Sequence, residues 1–563
     1  MAGSILRRIA VVAAVAIAAP SGLSLADAHA GPGGRAAEVI VQFHAGTPAG
    51  DQRRAVRAAG GEVIRDLHVI DALGARLPVG GASRLARTPG VRAVTPNAAV
   101  HPAGHSTGRR WGSWNPGALA TAYVQSTRTD MAWTELRAPA TGKGVAVAVI
   151  DTGIAGELPD FRRSAEDTTS RVIASVVTNP DATTATDRYG HGTHVAGLVA
   201  GNGRALPPAH PLYNRYVGTA PEADLVSVKV SDDRGNASII DVIAGLQFVV
   251  DHGDAYGIRV ANLSLGSSLA LPYHIDPLNA AVEAVWAHGV VVVVAAGNRG
   301  TAPDAVSYAP ANDPYVITVG AVDDQGTKNT EDDRLTSWSS RGVTQDGFAK
   351  PEIVAPGAHI VGPLAPDSDF RSLCEDCVVD ERYFQLSGTS MAAPIVAGIA
   401  ADVISQHPGW TPDEVKGALT FAGGTGGSSS SANVRRTSDG VWEVAADRAV
   451  DASERELASN RNLALNSFLD PLTGQIDYAR ASWRRASWKA AIDELRASWK
   501  STSWTCDCAE AYATADTTRA SWGRASWGRA SWRGFFGDSP SEFGELGGGK
   551  SGAARPRGRG PAN

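Results

Sequence analysis

Apolar and polar positions along the chain fall into three regimes. Between residues 38 and 100 the apolar runs are short and alternate with polar ones. Glu38 to Phe43 reads as a strand, Gly50 to Ala59 as an amphipathic helix, Glu62 to Ile70 and Ala75 to Leu77 as strands, Ala82 to Arg87 as a helix and Val91 to Val100 as a last strand. This is a small α+β unit. From Val145 the runs lengthen and become almost wholly apolar. Val145 to Ile150, Val172 to Val177, Leu225 to Val230, Val260 to Leu265, Val290 to Ala296 and Val316 to Val322 read as strands. His191 to Gly201, Ile239 to His252, Pro277 to His288 and a stretch entered at Ser390 read as helices. Strands without a polar face must be covered on both sides, so the alternation predicts an α/β domain of three layers around a mostly parallel central sheet. Ligands of such sheets bind at the carboxyl ends of the strands.

The third regime begins near Ala452, where Ser, Arg, Ala, Trp and Gly take over and Arg-Ala-Ser-Trp recurs between Arg480 and Trp532. The usual five-residue step makes neither a helical face nor a strand alternation, and aliphatic residues are sparse, so the tail reads as an extended low-complexity array. Regular Arg and Trp suit contact with a cell-wall or other surface polymer through charge and cation–π interactions. Packing on the protein's own surface and removal on maturation are the alternatives. Residues 101–140, rich in Gly, Pro, Ser and Trp, read as a connecting segment. At the other end, Arg7 and Arg8 precede the apolar run Ile9 to Ala19 and small-residue sites at Ala26-Asp27-Ala28 and Ala28-His29-Ala30. That order is a secretory signal peptide, and the run is too short to span a bilayer.

Composition narrows the field. At 563 residues with 43% hydrophobic content the chain can bury a sizeable core, and a net charge of -6 does not point to nucleic acid as a partner. The four cysteines fall as Cys374-x-x-Cys377 and Cys506-x-Cys508; for an exported chain local disulfides are favoured over a zinc site.

The candidate chemistry lies at strand ends and one helix start. Ser390, in Gly388-Thr389-Ser390-Met391-Ala392-Ala393-Pro394, stands where unpaired N–H groups favour developing negative charge; a plain helix cap is the bland reading. Asp151 follows the strand Val145 to Ile150, although an Asp there also simply opens turns. His191, in His191-Gly192-Thr193-His194-Val195-Ala196-Gly197, can exchange a proton near neutral pH. His191 and His194 as a metal pair would lack the glutamate of His-Glu-x-x-His. Asn298 ends Ala295-Ala296-Gly297-Asn298, and its amide can donate to an oxyanion or just make a turn. Gly104-His105-Ser106-Thr107-Gly108 matches a nucleophile elbow but lacks the strand and helix that motif requires.

Together the motifs Val149-Ile150-Asp151-Thr152-Gly153, His191 to Gly197, Ala295 to Asn298 and Gly388 to Pro394 resemble those of subtilisin-like serine proteases, in the subtilisin order Asp, His, Ser. The resemblance covers roughly Val145 to Ala422. It implies a subtilisin-like fold, Ser390 as nucleophile, His191 as general base, Asp151 as its orienting carboxylate, and Asn298 with the Ser390 N–H as oxyanion donors. It also implies that Asn262 to Gly266 pairs with an extended protein or peptide substrate, and that Ser264, Leu265, Gly266, Ala295, Ala296 and Gly297 wall an apolar P1 pocket, with Ser307 a candidate for its floor.

The unit before residue 101 is similar to the inhibitory propeptides of that family, which act as intramolecular inhibitors and are removed autocatalytically. The expected layout is a signal peptide over 1–30, a propeptide over 31–105, a linker or mature N-terminal segment over 106–140, a peptidase domain over 141–452 and the repeat tail over 453–563. No cofactor is required by this chemistry. The loop Asn202 to Tyr216 does not match the family's usual calcium loop, so no calcium ligand is carried over; a structural calcium is possible, with the acidic stretch Asp323 to Asp333 one place for it. Ser368 to Arg382, carrying Cys374 and Cys377, looks like an insertion before the nucleophile that braces an active-site rim if its cysteines pair. A catalytically silent scaffold that binds surface polymer through the Trp repeats is the alternative from a different class.

Overall fold

The computed structural model describes residues 36–102, 122–422 and 442–466, except 45, 135, 137, 453–458 and 461–462. The signal peptide, the Gly104 to Gly108 motif, Cys506 and Cys508 and the repeat tail lie outside these residues.

The N-terminal unit is a four-stranded antiparallel sheet in the order Glu62–Leu67, Ala72–Leu77, Ala37–Phe43, Val91–Pro96, with helices Ala49–Ala58 and Gly81–Leu85 against it. Its own small core holds Val39, Val41, Phe43, Val56, Leu73 and Leu85. The expected last strand, Val91 to Val100, is in fact two. It breaks after Pro96, where the Asn97 side chain donates to Glu38 at 3.1 Å and accepts the Ile240 N–H at 3.0 Å, turning the chain out of the sheet toward the larger domain. The second piece, Ala99–Pro102, belongs to a different sheet.

The central sheet has eight strands. Arg334–Leu335, Ile317–Asp323, Val291–Ala295, Ile258–Leu263, Ala146–Asp151, Asp224–Lys229 and Val172–Val177 follow in that order, and Ile353–Pro356 also pairs with Ile317–Asp323. All its pairings are parallel except that of Arg334–Leu335. The run Val291 to Val294 shows why: all four valines are buried, each contributing about 1.5–3 kcal/mol of burial, which only a sheet covered on both faces provides. Helices His191–Ala200 and Thr389–Gln406 pack together on one side, Ile239–Tyr256 and Pro277–Ala287 on the other.

Two boundaries take a definite form. Of the stretch 106–140, expected as a linker or a mature N-terminal segment, the described residues are built into the domain: Tyr123 donates to Val217 O at 2.6 Å, Trp133 to Thr219 O at 3.0 Å, and Arg128 pairs with Asp447. The start of the supposed tail is also domain. Asn460 and Asn466 are buried, the first bonded to Tyr315 O and Lys416, the second to Glu283 and Asp276 O. Buried polar groups of the domain find their partners there, a constraint that local composition does not reveal. The loop 202–216 is packed by its own apolar side chains, Leu206, Leu212 and Tyr216 clustering with Val361 and Tyr383.

Candidate active site

Asp151 is the last residue of a central strand, flanked on both sides by parallel neighbours. Its Oδ1 accepts from His191 Nδ1 at 2.7 Å and from the Thr152 N–H at 2.8 Å. His191 opens its helix, and the close approach of that helix depends on Gly192: a Cβ there would stand 2.2 Å from the Gly153 carbonyl. Asp187, absent from the sequence reading, fixes both ends of this contact. Its carboxylate accepts from the N–H groups of Gly190 at 2.7 Å and Thr193 at 2.8 Å, and from the Thr152 hydroxyl at 2.9 Å, so it ties the helix start to the Asp151 strand. Burial raises the Asp187 pKa. Its place four residues before His191, at a helix N-terminus, was the available signal.

Ser390 is the second residue of the helix Thr389–Gln406. Pro394 lies four residues on and has no N–H, so the Ser390 carbonyl receives no intrahelical bond; it accepts from the Ser264 hydroxyl at 2.9 Å instead. The Ser390 hydroxyl donates in turn to the Ser264 carbonyl at 2.9 Å. It is therefore not bonded to the imidazole, and His191 Nε2 has no hydrogen-bond partner. Asn298 Oδ1 accepts from both the N–H and the hydroxyl of Thr389, at 3.0 Å each, which assigns the amide orientation and directs its nitrogen the other way. The Thr389 hydroxyl also accepts from the Gly297 N–H at 3.0 Å, joining the Asn298 turn to the helix that carries Ser390.

His194 is not part of this set. Its Nε2 bonds to Phe384 O at 3.0 Å, and burial, with the neighbouring His191, pushes its pKa down to about 3. The two histidines thus serve different partners. Among the described residues no group of three or more His, Cys, Asp or Glu is arranged to hold a metal ion.

The edge of Leu265–Ser267, next to Ser264, is covered by the chain itself. Ala99–Pro102 runs antiparallel to Leu265–Ser267, with Pro102 opposite Leu265, His101 opposite Gly266 and Val100 opposite Ser267, and on its other edge pairs with Ala237–Ser238. Of the remaining wall candidates, Ala295 ends the adjacent strand and Ala296 and Gly297 follow it, the Ala296 N–H donating to Val319 O at 2.9 Å. Ser307 has its carbonyl held by Asn312 and Gln345. Asp151, His191, Asn298 and Ser390 are all buried in this form of the chain.

A carboxylate-bound imidazole, a serine at a helix start and a carboxamide turned by its neighbours, all on the carboxyl edge of one parallel sheet, can be compared with known proteins. The model of the subtilase family matches residues 142–434, just over half of the chain. The chain belongs to the subtilase family. Two relatives show how far the likeness runs: this subtilase is 43% identical over 286 residues to serine protease AprX of Bacillus subtilis (strain 168), covering 50% of this chain and 61% of that protein. It is 30% identical over 373 residues to the thermophilic serine proteinase of Bacillus sp. (strain AK1), covering 66% and 78%. The chain thus spans about three-fifths of the length of AprX. Among solved structures, fervidolysin from Fervidobacterium pennivorans, a keratinolytic enzyme related to subtilisin, shares the fold at a TM-score of 0.54 and 24% identity, over 75% of this chain and 62% of that one.

Proposed function

We propose that this subtilase is a secreted serine endopeptidase made as a self-processing zymogen, with protein or peptide substrates. Ser390 Oγ attacks the scissile carbonyl carbon while its proton passes to His191 Nε2, and Asp151 holds the Nδ1–H and stabilises the imidazolium. The carbonyl electron pair moves onto oxygen, which accepts from the Asn298 amide and the Ser390 N–H. Collapse breaks the C–N bond, the leaving amine takes the proton from His191, and water then hydrolyses the acyl-enzyme by the same route. These residues need no cofactor for that sequence. The step requires the Ser390 hydroxyl to leave the Ser264 carbonyl and donate to His191.

The observation that carries the reading is the strand Ala99–Pro102 lying along Leu265–Ser267, in the place an extended substrate backbone would take, beside a carboxylate-oriented histidine and Ser390. It supports the N-terminal unit as an intramolecular inhibitor. That unit also leans on the helix Ile239–Tyr256, through His68 to Asp251 at 2.9 Å and Val69 N–H to Gln247 at 3.3 Å. Export rests on the N-terminal signal pattern; no helix among the described residues is long and apolar enough to cross a membrane. The test is Ser390→Ala in the full precursor, for which peptide hydrolysis and release of the N-terminal unit should both vanish. The Ser390 bond to Ser264 also suits a silent scaffold, and a wild-type chain that neither processes itself nor cleaves peptides would favour that second reading.

A further inference from the structure

We propose that Phe370, in the disulfide-bearing excursion between residues 364 and 382, is a positioning residue for the His191 imidazole; this rests on the reading of His191 as general base. The excursion leaves the strand Ile360–Pro363 and returns as Tyr383–Leu386, antiparallel to it, four residues before Ser390. Its short helix Asp369–Leu373 crosses to the loop that precedes His191. There the Asp369 N–H donates to Arg188 O at 3.0 Å and the Phe370 N–H to Tyr189 O at 3.2 Å.

The phenyl ring is buried and packs against the His191 ring and against the strand that precedes Ser390. It stands perpendicular to the His191 ring, centroids 6.4 Å apart at 89°, and meets Tyr189 edge-on at 5.2 Å. It also stacks at 5.0 Å on Phe384, which lies on the strand leading to Ser390. The backbone before His191 is pressed onto it. Gly190 has φ +114°, and a Cβ there would fall 2.8 Å from Phe370 Cγ, so glycine is needed both for the conformation and for the contact. His191 is held by one hydrogen bond, at Nδ1, with Nε2 unpartnered. A single bond at one ring atom fixes distance better than tilt. The perpendicular phenyl limits the remaining swing, and its stack on Phe384 refers the ring to the nucleophile strand.

The excursion is itself braced. Cys374 and Cys377 form a buried disulfide, the Cys374 N–H donates to Phe370 O at 3.2 Å, and Arg371 bridges to Glu381 at 3.1 Å across the base. The rigidity ends on the residue that meets the imidazole. Misplacement of a catalytic group by about 1 Å costs on the order of 100-fold in rate, and a partial loosening of tilt should cost about tenfold.

The experiment is a graded series in the full precursor, Phe370→Leu, Phe370→Val and Phe370→Ala, with active sites counted by a serine-directed titrant and kcat and KM measured per site on one peptide. The expected result is a fall in kcat as the side chain shrinks, reaching about tenfold at alanine, with KM within twofold of wild type and most of kcat kept by leucine. If alanine does not yield folded protein, the leucine and valine members carry the test. A flat kcat across the folded members, or a change in KM alone, overturns the proposal. Those outcomes with an active wild type and an inert Ser390→Ala protein sink only the role of Phe370; an active Ser390→Ala protein would sink the reading beneath it.

Discussion

Acidification should loosen the N-terminal unit's grip on the cleft, and His101 sets the size of the effect. His101 lies in the strand Ala99–Pro102 opposite Gly266, and burial alone pushes its pKa from the ordinary 6.5 down to about 4. A lowered histidine pKa means that docking favours the neutral ring. Docking is therefore at full strength above about pH 6.5 and weakens as pH falls from there toward 4. At pH 5.5 a free imidazole is about tenfold more protonated than neutral while the docked ring stays mostly neutral, so docking weakens about tenfold, or about 1.4 kcal/mol. That factor is set almost wholly by the free value, so the ring's partial exposure changes it little. The assay follows the appearance of peptidase activity from purified precursor at pH 5.5 and 7.5, each normalised to fully processed enzyme at the same pH. Wild type should activate about tenfold more readily at the lower pH, and His101→Asn, which cannot gain the proton, should lose that difference. Equal activation of wild type at both pH values, or an undiminished difference in the variant, refutes the reasoning.

Three further outcomes are expected. If Asn298 is an oxyanion donor, Asn298→Ala should lower kcat by about 10² to 10³ with KM little changed, the cost of losing an asparagine oxyanion donor in a subtilisin, and steady-state kinetics on active-site-titrated enzyme checks it. A chain stopped after residue 452 loses Asn460 and Asn466 and strips buried partners from Lys416 and Glu283; at about 1–3 kcal/mol for each, its Tm should fall by about 10 °C in a thermal melt, whereas a stop after residue 466 should leave it unchanged. Pro102 pairs opposite Leu265, and the Ser390 hydroxyl is bonded to the carbonyl of Ser264, one residue back. Cleavage should thus follow residue 103, between Ala103 and Gly104, and intact mass with N-terminal sequencing of the processed protein should find Gly104 first.

Periodic apolar runs make the parallel sheet, its helices and the strand-end positions of Asp151 and Asn298 legible in the sequence, because each is a local property of a few consecutive residues. What stayed hidden depends on partners distant in the chain. Nothing local in Val91 to Val100 says that Asn97 will bond Ile240 and split the strand between two sheets. The place of Asp187 before a helix hints at a cap, but not that Thr152, next to Asp151, joins Gly190 and Thr193 in bonding to it. The burial of Asn460 and Asn466 at the edge of a low-complexity tail is invisible to composition for the same reason. Conversely, the small-residue pattern after Ser390 was readable as a helix, yet the consequence of Pro394, a carbonyl released to accept from Ser264, needed the neighbouring strand.

The claim on which the account turns is that Asp151, His191, Asn298 and Ser390 act on one carbonyl. Covalent labelling by a serine-directed fluorophosphonate, located by peptide mass spectrometry in the processed protein, tests it most directly. The account predicts one adduct per chain, on Ser390, formed at least 10³-fold more slowly in a His191→Ala chain whose N-terminal unit has been removed by an added protease, in line with the loss on removing a triad member. Labelling at another serine, or at Ser390 with a rate indifferent to His191, would contradict it.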